Sequence, residues 1–307
     1  MSKKVVIAGA TGLIGKNLCM HLAGLGYEIK ALVRNPEKAF DSLKHYNIEL
    51  VEWDIKMSPD EVSVFLEGWD CVINLAGASV GGKRWNDEVK KELYDSRINS
   101  TRQLVNAIQI CTDKPKTFIT ACGVGIYGFR GDENITENSS FGSDFLAKLC
   151  IDWEKEAFKA EKNCRVVSMR TGVVLDKNEG ALKELMMPFN FFAGGWLGSG
   201  RQWFPWIHIR DIIEVYKICI DNDNIRGPIN ADSPDIVRNK EFCKELGKAM
   251  HRPCLFPVPG FALKIIVGEF AETLLNGQKV IPEKLENLNF PFRFKKLNSA
   301  LEDLLQS

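Results

Sequence analysis

The first half of the chain alternates short apolar runs with longer amphipathic segments. The apolar runs have the length of buried strands and lie at residues 5–8, 29–33, 48–53, 71–75, 117–121 and 164–169. Amphipathic patterns typical of helices lie at residues 13–25, 87–111 and 144–160. Strands regularly spaced by helices are joined by right-handed crossovers and form a parallel sheet. The pattern predicts an α/β protein with a Rossmann-type, doubly wound parallel sheet.

After Arg170 this rhythm is lost. Glycines and tryptophans crowd residues 171–205, and an apolar helix follows at residues 212–220, placed to return to the sheet. Prolines break the tail into two or three helices. We therefore expect residues 1–170 and 206–232 to form a cofactor-binding domain. Residues 171–205 and 233–307 would form a small, mostly helical lobe that binds the substrate.

Composition narrows the class of protein. The chain has 307 residues, is 45% hydrophobic, and balances 40 Lys and Arg against 40 Asp and Glu, which gives no reason to expect a nucleic-acid or membrane partner. The nine cysteines include no CxxC motif and no metal-like pairing with histidine. The apolar start is too short for a signal peptide or a membrane span. These features predict a cytoplasmic protein with reduced thiols and no metal.

A glycine-rich loop follows the first strand and precedes the first helix. Gly9, Gly12 and Gly15 have the spacing in which glycines permit a sharp turn, close approach of a pyrophosphate, and tight helix packing. The helix N-terminus beyond them offers free N–H groups to phosphates. The predicted cofactor contacts of this loop are Gly9, Thr11, Gly12, Leu13, Ile14 and Gly15. A merely structural tight turn is the alternative.

The end of the second strand indicates which dinucleotide is bound. NAD sites usually carry an acidic residue there, whereas this strand ends in Arg34, whose guanidinium suits a ribose 2′-phosphate. We therefore predict NADP(H), with a solvated loop arginine as the alternative. Asp54 is placed to accept from the adenine amino group, or is a turn residue. The small residues Leu75, Ala76 and Gly77 end the fourth strand and would lie against the cofactor.

Several further motifs carry a family resemblance. They are Asn74-Leu75-Ala76-Gly77, Lys83-Arg84-Trp85, Asp95-Ser96-Arg97, Asp144-Phe145-Leu146-Ala147 with Trp153-Glu154, Arg170-Thr171-Gly172-Val173-Val174-Leu175, Gly198-Ser199-Gly200 with Trp206-Ile207-His208, and Gly277-Gln278-Lys279-Val280-Ile281-Pro282. With the glycine loop, they make nearly the whole chain resemble the extended short-chain dehydrogenase/reductases of the NAD-dependent epimerase/dehydratase group. Within it, the chain resembles the atypical epimerase family proteins. The resemblance implies a Rossmann domain with a small C-terminal substrate lobe.

The resemblance also implies a catalytic tyrosine and a lysine four residues later, which this chain lacks. Those positions fall on Leu146 and Cys150, and the companion serine position falls on Cys122 or Gly123. Tyr127 is a candidate proton donor instead, or an aromatic wall of the pocket. Cys122 and Cys150 are candidate thiols, or buried inert cysteines.

Other polar residues are candidates for binding the substrate or the cofactor. Arg97 and Arg84 would hold an anionic substrate or the cofactor phosphates, or would form surface ion pairs. Gln202, Trp203 and His208 are predicted to line the substrate site with Cys122 and Arg84, although His208 also fits a structural hinge.

Two functions remain open from the sequence. One is an NADP(H)-dependent oxidoreductase or epimerase acting on a small carbonyl or nucleotide-sugar-like substrate. The other is a non-catalytic NADP(H)-binding sensor or scaffold protein. The expected partner is a small-molecule substrate, and the sequence leaves a monomer and a homodimer equally open.

Overall fold

The computed structural model of the protein describes residues 3–44 and 47–306. The strands are β1 (Lys4–Ala8), β2 (Glu28–Val33), β3 (Ile48–Glu52), β4 (Cys71–Asn74), β5 (Thr117–Gly123), β6 (Asn134–Ile135), β7 (Arg165–Thr171), β8 (Val173–Leu175), β9 (Trp203–Phe204), β10 (Trp206–His208), β11 (Gly227–Ala231), β12 (Val237–Arg238) and β13 (Lys279–Val280). The helices are α1 (Leu13–Gly24), α2 (Pro36–Leu43), α3 (Pro59–Leu66), α4 (Asp87–Ile110), α5 (Phe145–Phe158), α6 (Gly180–Asn190), α7 (Ile209–Asp221), α8 (Asn239–Ala249), α9 (Gly260–Val267), α10 (Phe270–Leu275), α11 (Glu283–Asn287) and α12 (Leu297–Gln306).

Within these residues a seven-stranded sheet has the order β11-β7-β5-β4-β1-β2-β3, and each neighbouring pair is parallel. Alternate side chains of a strand point to opposite faces. In β1, Val5 and Ile7 join the core shared with α1 and α7, while Val6 and Ala8 join the core shared with α3 and α4. Burial on both faces explains why the strands are continuous apolar runs. The predicted Rossmann-type, doubly wound fold is confirmed.

The structure contains elements that the sequence pattern did not predict. The seventh strand, β11, lies at the edge of the sheet, where the missing N–H of Pro228 is tolerated. Helices α2 and α3 have only eight residues each, too few for a clear hydrophobic period. Their beginnings are nevertheless encoded locally, because Asn35 and Ser58 cap them and a proline opens each first turn. Helix α6 lies within residues 171–205, for which the sequence pattern predicted no individual helix or strand.

The strand order places a crevice at the carboxyl edge of the sheet. From β1 the chain proceeds outward through β2 and β3, and it then returns to β4 on the other side of β1. The connections after β1 and β4 therefore diverge to opposite sides. Open α/β sheets bind ligands at such a switch point, outside the carboxyl ends of the strands. The predicted glycine loop follows β1 and lies at this position.

The C-terminal part of the chain is mainly helical and packs on the same core as the sheet. Phe242 of α8 and Leu301 of α12 belong to the apolar cluster that contains Leu18 and Leu22 of α1. The division into residues 1–170 and 206–232 against residues 171–205 and 233–307 stays a prediction. Across residues 3–44 and 47–306, no helix combines the length and the apolar character needed to cross a membrane.

Candidate functional site

Glycines form the loop between β1 and α1 because side chains would not fit there. Gly9 has a φ of +79°, and a Cβ at this position would lie 2.7 Å from the Leu75 carbonyl carbon. A Cβ on Gly15 would overlap the carbonyl oxygen of Gly9. The nearest atom to a Cβ on Gly12 would be the Gly9 oxygen, at 3.4 Å. The absence of a side chain on Gly12 therefore lets a ligand approach the backbone on the outer surface of the loop. The loop is therefore fitted to β4 on one side and open to a ligand on the other.

The N-terminus of α1 has backbone donors that no side chain caps. In the described part of the chain, α2, α3, α4 and α5 each have an N-cap side chain that accepts from the first turn, whereas the N-cap of α1 is Gly12, which has no side chain. Its first turn also carries no acidic residue. A helix N-terminus with free N–H groups and a positive dipole end favours an anion. The pyrophosphate of a dinucleotide fits this site.

The end of β4 is held beside the loop by a buried hydrogen-bond network. The Asn74 Nδ2 group donates to the Thr101 hydroxyl at 2.9 Å, and the Ala76 N–H donates to Asn74 Oδ1 at 3.1 Å. Trp153 Nε1 donates to the same hydroxyl at 2.8 Å. These bonds fix the path of residues 74–77, of which Gly77 is exposed and Leu75 is half-buried.

Two predicted cofactor residues lie at the same edge, beyond β2 and β3. Arg34 is exposed directly after β2, and its guanidinium makes no hydrogen bond or ion pair with the residues that the structure describes. Asp54 is exposed after β3, and its carboxylate accepts the Lys56 N–H at 2.8 Å within its own turn. Arg34 is thus available to a ligand. The Asp54 carboxylate already accepts a hydrogen bond within its turn, which agrees with the alternative prediction that Asp54 is a turn residue. Its contact with adenine stays a prediction.

The two other predicted arginines have different surroundings. Arg97 on α4 is 9% exposed and donates to the carbonyl oxygens of Leu93 at 3.1 Å and Ala78 at 3.0 Å. Within the described ranges it makes no ion pair with a carboxylate, and its Cζ lies 5.2 Å from the centre of the Trp153 ring. A Cβ on Gly77 would be 3.2 Å from the same Cζ. Burial lowers the pKa of Arg97. Arg84 is exposed beside Gly268. Neither arginine makes an ion pair with a residue that the structure describes, which was the predicted alternative role of both.

The position of the absent tyrosine and lysine is apolar apart from two thiols. Leu146 is half-buried against Gly125, and Cys150 lies one turn further along α5. The Cys122 thiol donates to the Cys150 carbonyl oxygen at 3.8 Å. Lys148 is exposed on the other side of the helix and does not replace the missing lysine.

Tyr127 is part of the core, which corrects its prediction as a substrate-facing proton donor. Its side chain has no exposed surface, and its hydroxyl donates to Asn230 Oδ1 at 2.5 Å and accepts from Arg170 Nη1 at 2.8 Å. Burial raises the pKa of Tyr127 above its ordinary value, against the opposing effect of Arg170. The phenol is therefore a neutral hydrogen-bonding group inside the protein.

Two of the predicted substrate contacts, His208 and Gln202, make hydrogen bonds within the protein. His208 is fully buried, where its Nδ1 accepts the Arg210 N–H at 3.0 Å and caps α7, and burial lowers its pKa to about 4. Gln202 Nε2 donates to the carbonyl oxygens of Leu197 and Leu274, both at 3.0 Å. The hinge interpretation of His208 fits this environment better than substrate contact, because its ring has no exposed surface.

Trp203, another predicted substrate contact, also interacts with side chains of the protein. Its Nε1 donates to Asp132 Oδ1 at 2.8 Å, and the Arg238 guanidinium lies 4.1 Å from the centre of its ring. Trp203 and Gln202 are half-buried, and their contact with a substrate stays a prediction.

A buried ionic network, which no pattern in the sequence indicated, joins α5 and β7. Arg170 on β7, 2% exposed, donates to Glu154 through Nε at 2.9 Å and through Nη2 at 2.6 Å. The Ser168 hydroxyl donates to the same carboxylate at 2.7 Å. Trp153-Glu154 and Arg170-Thr171-Gly172 were recognised only as family motifs. Bidentate pairing of a buried arginine with a carboxylate gives these motifs a physical reason.

These features together define a protein class. A parallel sheet with a glycine loop at its switch point, an uncapped helix N-terminus and a free arginine after β2 characterise Rossmann-type α/β proteins. The profile of the NAD dependent epimerase/dehydratase family matches residues 5–231, and that of a domain of unknown function, DUF1731, matches residues 258–304. The chain belongs to the NAD dependent epimerase/dehydratase family.

Individual relatives agree over almost the full length. The chain is 39% identical to the epimerase family protein SDR39U1 homolog, chloroplastic, of Arabidopsis thaliana, over 98% of this chain and 86% of the relative. It is 36% identical to the epimerase family protein YfhF of Bacillus subtilis, over 98% and 97% of the two chains. The crystal structure of the human epimerase family protein SDR39U1 (isoform 2) with NADPH superposes with a TM-score of 0.88 at 30% identity, covering 99% of each chain.

Proposed function

We propose that this protein is an NADP(H)-dependent oxidoreductase or epimerase that acts on a small carbonyl or nucleotide-sugar-like substrate without a tyrosine–lysine pair. The cofactor would supply hydride transfer at its nicotinamide ring. This chain would hold the pyrophosphate at the glycine loop, the 2′-phosphate at Arg34, and the substrate in the crevice beside the C-terminal lobe. A cytoplasmic location and a small-molecule partner belong to the same proposal.

The exposed guanidinium of Arg34 is the observation that carries the cofactor assignment. It stands at the end of β2, where an NAD-specific site usually has a carboxylate for the ribose hydroxyls. An arginine can bond a phosphate through parallel N–H groups, and it repels no part of NADPH. The similar human protein, whose crystal structure contains NADPH, supports this choice over NADH.

Replacing Arg34 with alanine is expected to weaken NADPH binding about 10- to 100-fold, the equivalent of one charge-assisted hydrogen-bonding group worth about 1.5–3 kcal/mol. NADH binding should change little, because NADH has no 2′-phosphate. Titration of both cofactors, followed by the fluorescence of the reduced nicotinamide, measures the two affinities.

Arg226→Ala is the matched control for this experiment. Arg226 is also exposed but precedes β11, at the opposite edge of the sheet. Its removal should leave both affinities unchanged. Equal affinities of the wild-type protein for NADPH and NADH would overturn the specificity assignment.

A second candidate function is a non-catalytic NADP(H)-binding sensor or scaffold. The burial of the Tyr127 hydroxyl and the apolar side chain of Leu146 favour it, because neither residue offers a proton to a substrate. Both candidates use the same cofactor site and differ only in whether hydride leaves the cofactor.

Substrate-dependent oxidation of NADPH separates the two candidates. We expect turnover with at least one member of a panel of aldehydes, ketones and nucleotide-sugar carbonyls, followed as loss of nicotinamide absorbance. A Gly9→Ala variant, whose cofactor cradle is distorted, should lose this activity and so exclude a contaminating enzyme. NADPH binding without turnover on any member would favour the sensor.

A further inference from the structure

Two neighbouring segments of the chain, residues 187–198 and 254–266, expose large apolar side chains. The segments run side by side, because the Val258 N–H donates to the Trp196 carbonyl oxygen at 2.7 Å and residues 194 and 254 form a parallel bridge. The apolar side chains that are more than half exposed here are Met187, Phe191, Phe192, Leu255, Phe256, Phe261, Ile265 and Ile266, which we call the apolar face. Apolar residues scattered singly over a surface are ordinary, whereas a large exposed patch of them marks an interaction site.

Helix α9 adjoins the first segment in space as well as following the second in sequence. A Cβ on Gly198, in the first segment, would lie 2.5 Å from Leu275 Cδ2. A Cβ on Gly260, where α9 begins, would lie 3.1 Å from Leu275 Cδ1, so both glycines contact the same side chain. On α9, Phe261 and Ile265 are one helical turn apart and share a side of the helix. The exposed side chains of α9 and of the paired segments therefore belong to one region of the surface.

A shallow basic depression borders the apolar face. Its lining consists of Lys244, Gly247, Lys248, His251, Arg252 and Cys254, and no carboxylate of the described residues lines it. The Arg252 guanidinium lies 4.6 Å from the centre of the Phe192 ring, which joins the depression to the apolar face. Lys240, one turn before Lys244 on α8, lies 4.2 Å from the centre of the Trp196 ring. Cationic side chains thus lie directly beside the exposed rings.

The charges of this surface are one-sided. Residues 185–200 contain no charged residue, and residues 251–268 contain Arg252 and Lys264 but no Asp or Glu. On the adjoining helix α8, Glu245 pairs with Lys248 at 2.6 Å. The charges of the whole chain balance, so composition gave no reason to expect a membrane partner. The folded chain nevertheless places basic and apolar side chains together on one surface.

We propose that the apolar face and the basic depression dock this protein on the surface of an anionic lipid bilayer. The exposed phenylalanine and isoleucine side chains enter the boundary between headgroups and acyl chains, where their burial stabilises binding. The lysine and arginine side chains lie at the level of the headgroups and attract the lipid phosphates. The protein then lies on the membrane and does not span it.

A second copy of this chain fits the same surface less well. In a twofold-symmetric pair the same surface of each subunit meets the other, so the two basic depressions would approach each other. Like charges placed against each other across an interface are unfavourable. An anionic bilayer instead supplies the negative charge that this surface lacks, and it accepts exposed rings without requiring a shaped pocket.

The test is flotation of the full chain with vesicles of phosphatidylcholine that contain about 30 mol% phosphatidylglycerol, beside vesicles of phosphatidylcholine alone. We expect binding to the anionic vesicles to be at least about tenfold stronger. Raising NaCl from about 0.05 M to about 0.5 M should weaken it about tenfold or more, because the Debye length falls. Equal binding to both kinds of vesicle, or binding to neither, would overturn the proposal.

Two double variants separate the apolar and the basic contributions. Phe256→Ser with Ile265→Ser should weaken binding to the anionic vesicles about tenfold or more, because two apolar side chains no longer enter the bilayer. Lys244→Ala with Lys248→Ala should cause a similar loss at low salt and a smaller one at high salt. All four side chains are exposed, so both variants should fold, and circular dichroism checks this. Wild-type binding by the Phe256 and Ile265 variant would contradict the proposed surface.

Phe40→Ser with Val64→Ser is the matched control. These side chains are 56% and 70% exposed on α2 and α3, the helices that precede and follow the edge strand β3. The control should bind the anionic vesicles as the wild type does, and an equal loss would refute the assignment to the apolar face.

Sedimentation equilibrium without vesicles tests the alternative occupant, a second copy of the chain. We expect the same oligomeric state for the wild type and for the Phe256 and Ile265 variant. A wild-type dimer that this variant abolishes, together with no binding to vesicles, would assign the apolar face to a contact between copies and overturn the membrane proposal.

Discussion

Replacing Gly9 with alanine is expected to weaken NADPH binding by at least about 30-fold. An alanine in the left-handed region costs about 1–2 kcal/mol, and forcing its Cβ against the backbone of Leu75 and Ala76 adds about 1–3 kcal/mol. The free variant relieves this strain by moving the loop, and the cofactor must then restore the original shape at the expense of its binding energy. Calorimetric titration with NADPH measures the loss.

Gly24→Ala provides the control within the same helix. Gly24 ends α1, and a Cβ there would have no neighbour within 4 Å. This variant should bind NADPH as the wild type does and fold with equal or slightly greater stability. A Gly9→Ala variant with wild-type affinity would show that the loop does not contact the cofactor.

Removal of the Glu154 carboxylate is expected to have the largest effect on stability. Glu154→Ala leaves the guanidinium of Arg170 buried without its counter-ion, and breaking such a buried pair lowers the free energy of unfolding by about 3–5 kcal/mol. Urea denaturation monitored by circular dichroism measures the change. A double variant, Glu154→Leu with Arg170→Met, should recover part of the loss because it buries no unpaired charge.

The surface pair of Lys91 and Asp95 gives the comparison. Its atoms approach to 2.7 Å, but both side chains are well exposed and lie one helical turn apart. Asp95→Ala should change the free energy of unfolding by less than about 1 kcal/mol. A similarly small effect of Glu154→Ala would mean that water reaches the Arg170 site and that the network does not hold β7 against α5.

Much of the fold could be predicted because its signals are local. The run Val5-Val6-Ile7-Ala8 followed by Gly9 specifies a buried strand and a turn, and the glycine spacing specifies how close the next helix lies. The strand β11 could not be recognised in the same way. Its five residues begin with glycine and proline, and only the free edge of β7 makes them a strand.

The candidate site likewise contains residues whose roles follow from local sequence and residues whose roles depend on tertiary packing. The availability of Arg34 follows from its position after a strand, so the sequence could indicate it. The role of Tyr127 depends on Arg170 and Asn230, which are distant in sequence and reach the phenol only when β7 and β11 join the sheet. No local pattern distinguishes a tyrosine that faces a substrate from one that faces a buried arginine.

The sequence by itself thus determined the parallel α/β fold, the glycine cradle and the loss of the tyrosine–lysine pair, because each depends on residue types at short spacing. Only the tertiary structure decided which polar groups face the crevice. It buries Tyr127 and His208 in the interior and places the Cys122 thiol 3.8 Å from the Cys150 carbonyl oxygen. The reason is physical: burial and charge compensation depend on neighbours from distant segments, and these neighbours are fixed only when the sheet and its helices pack.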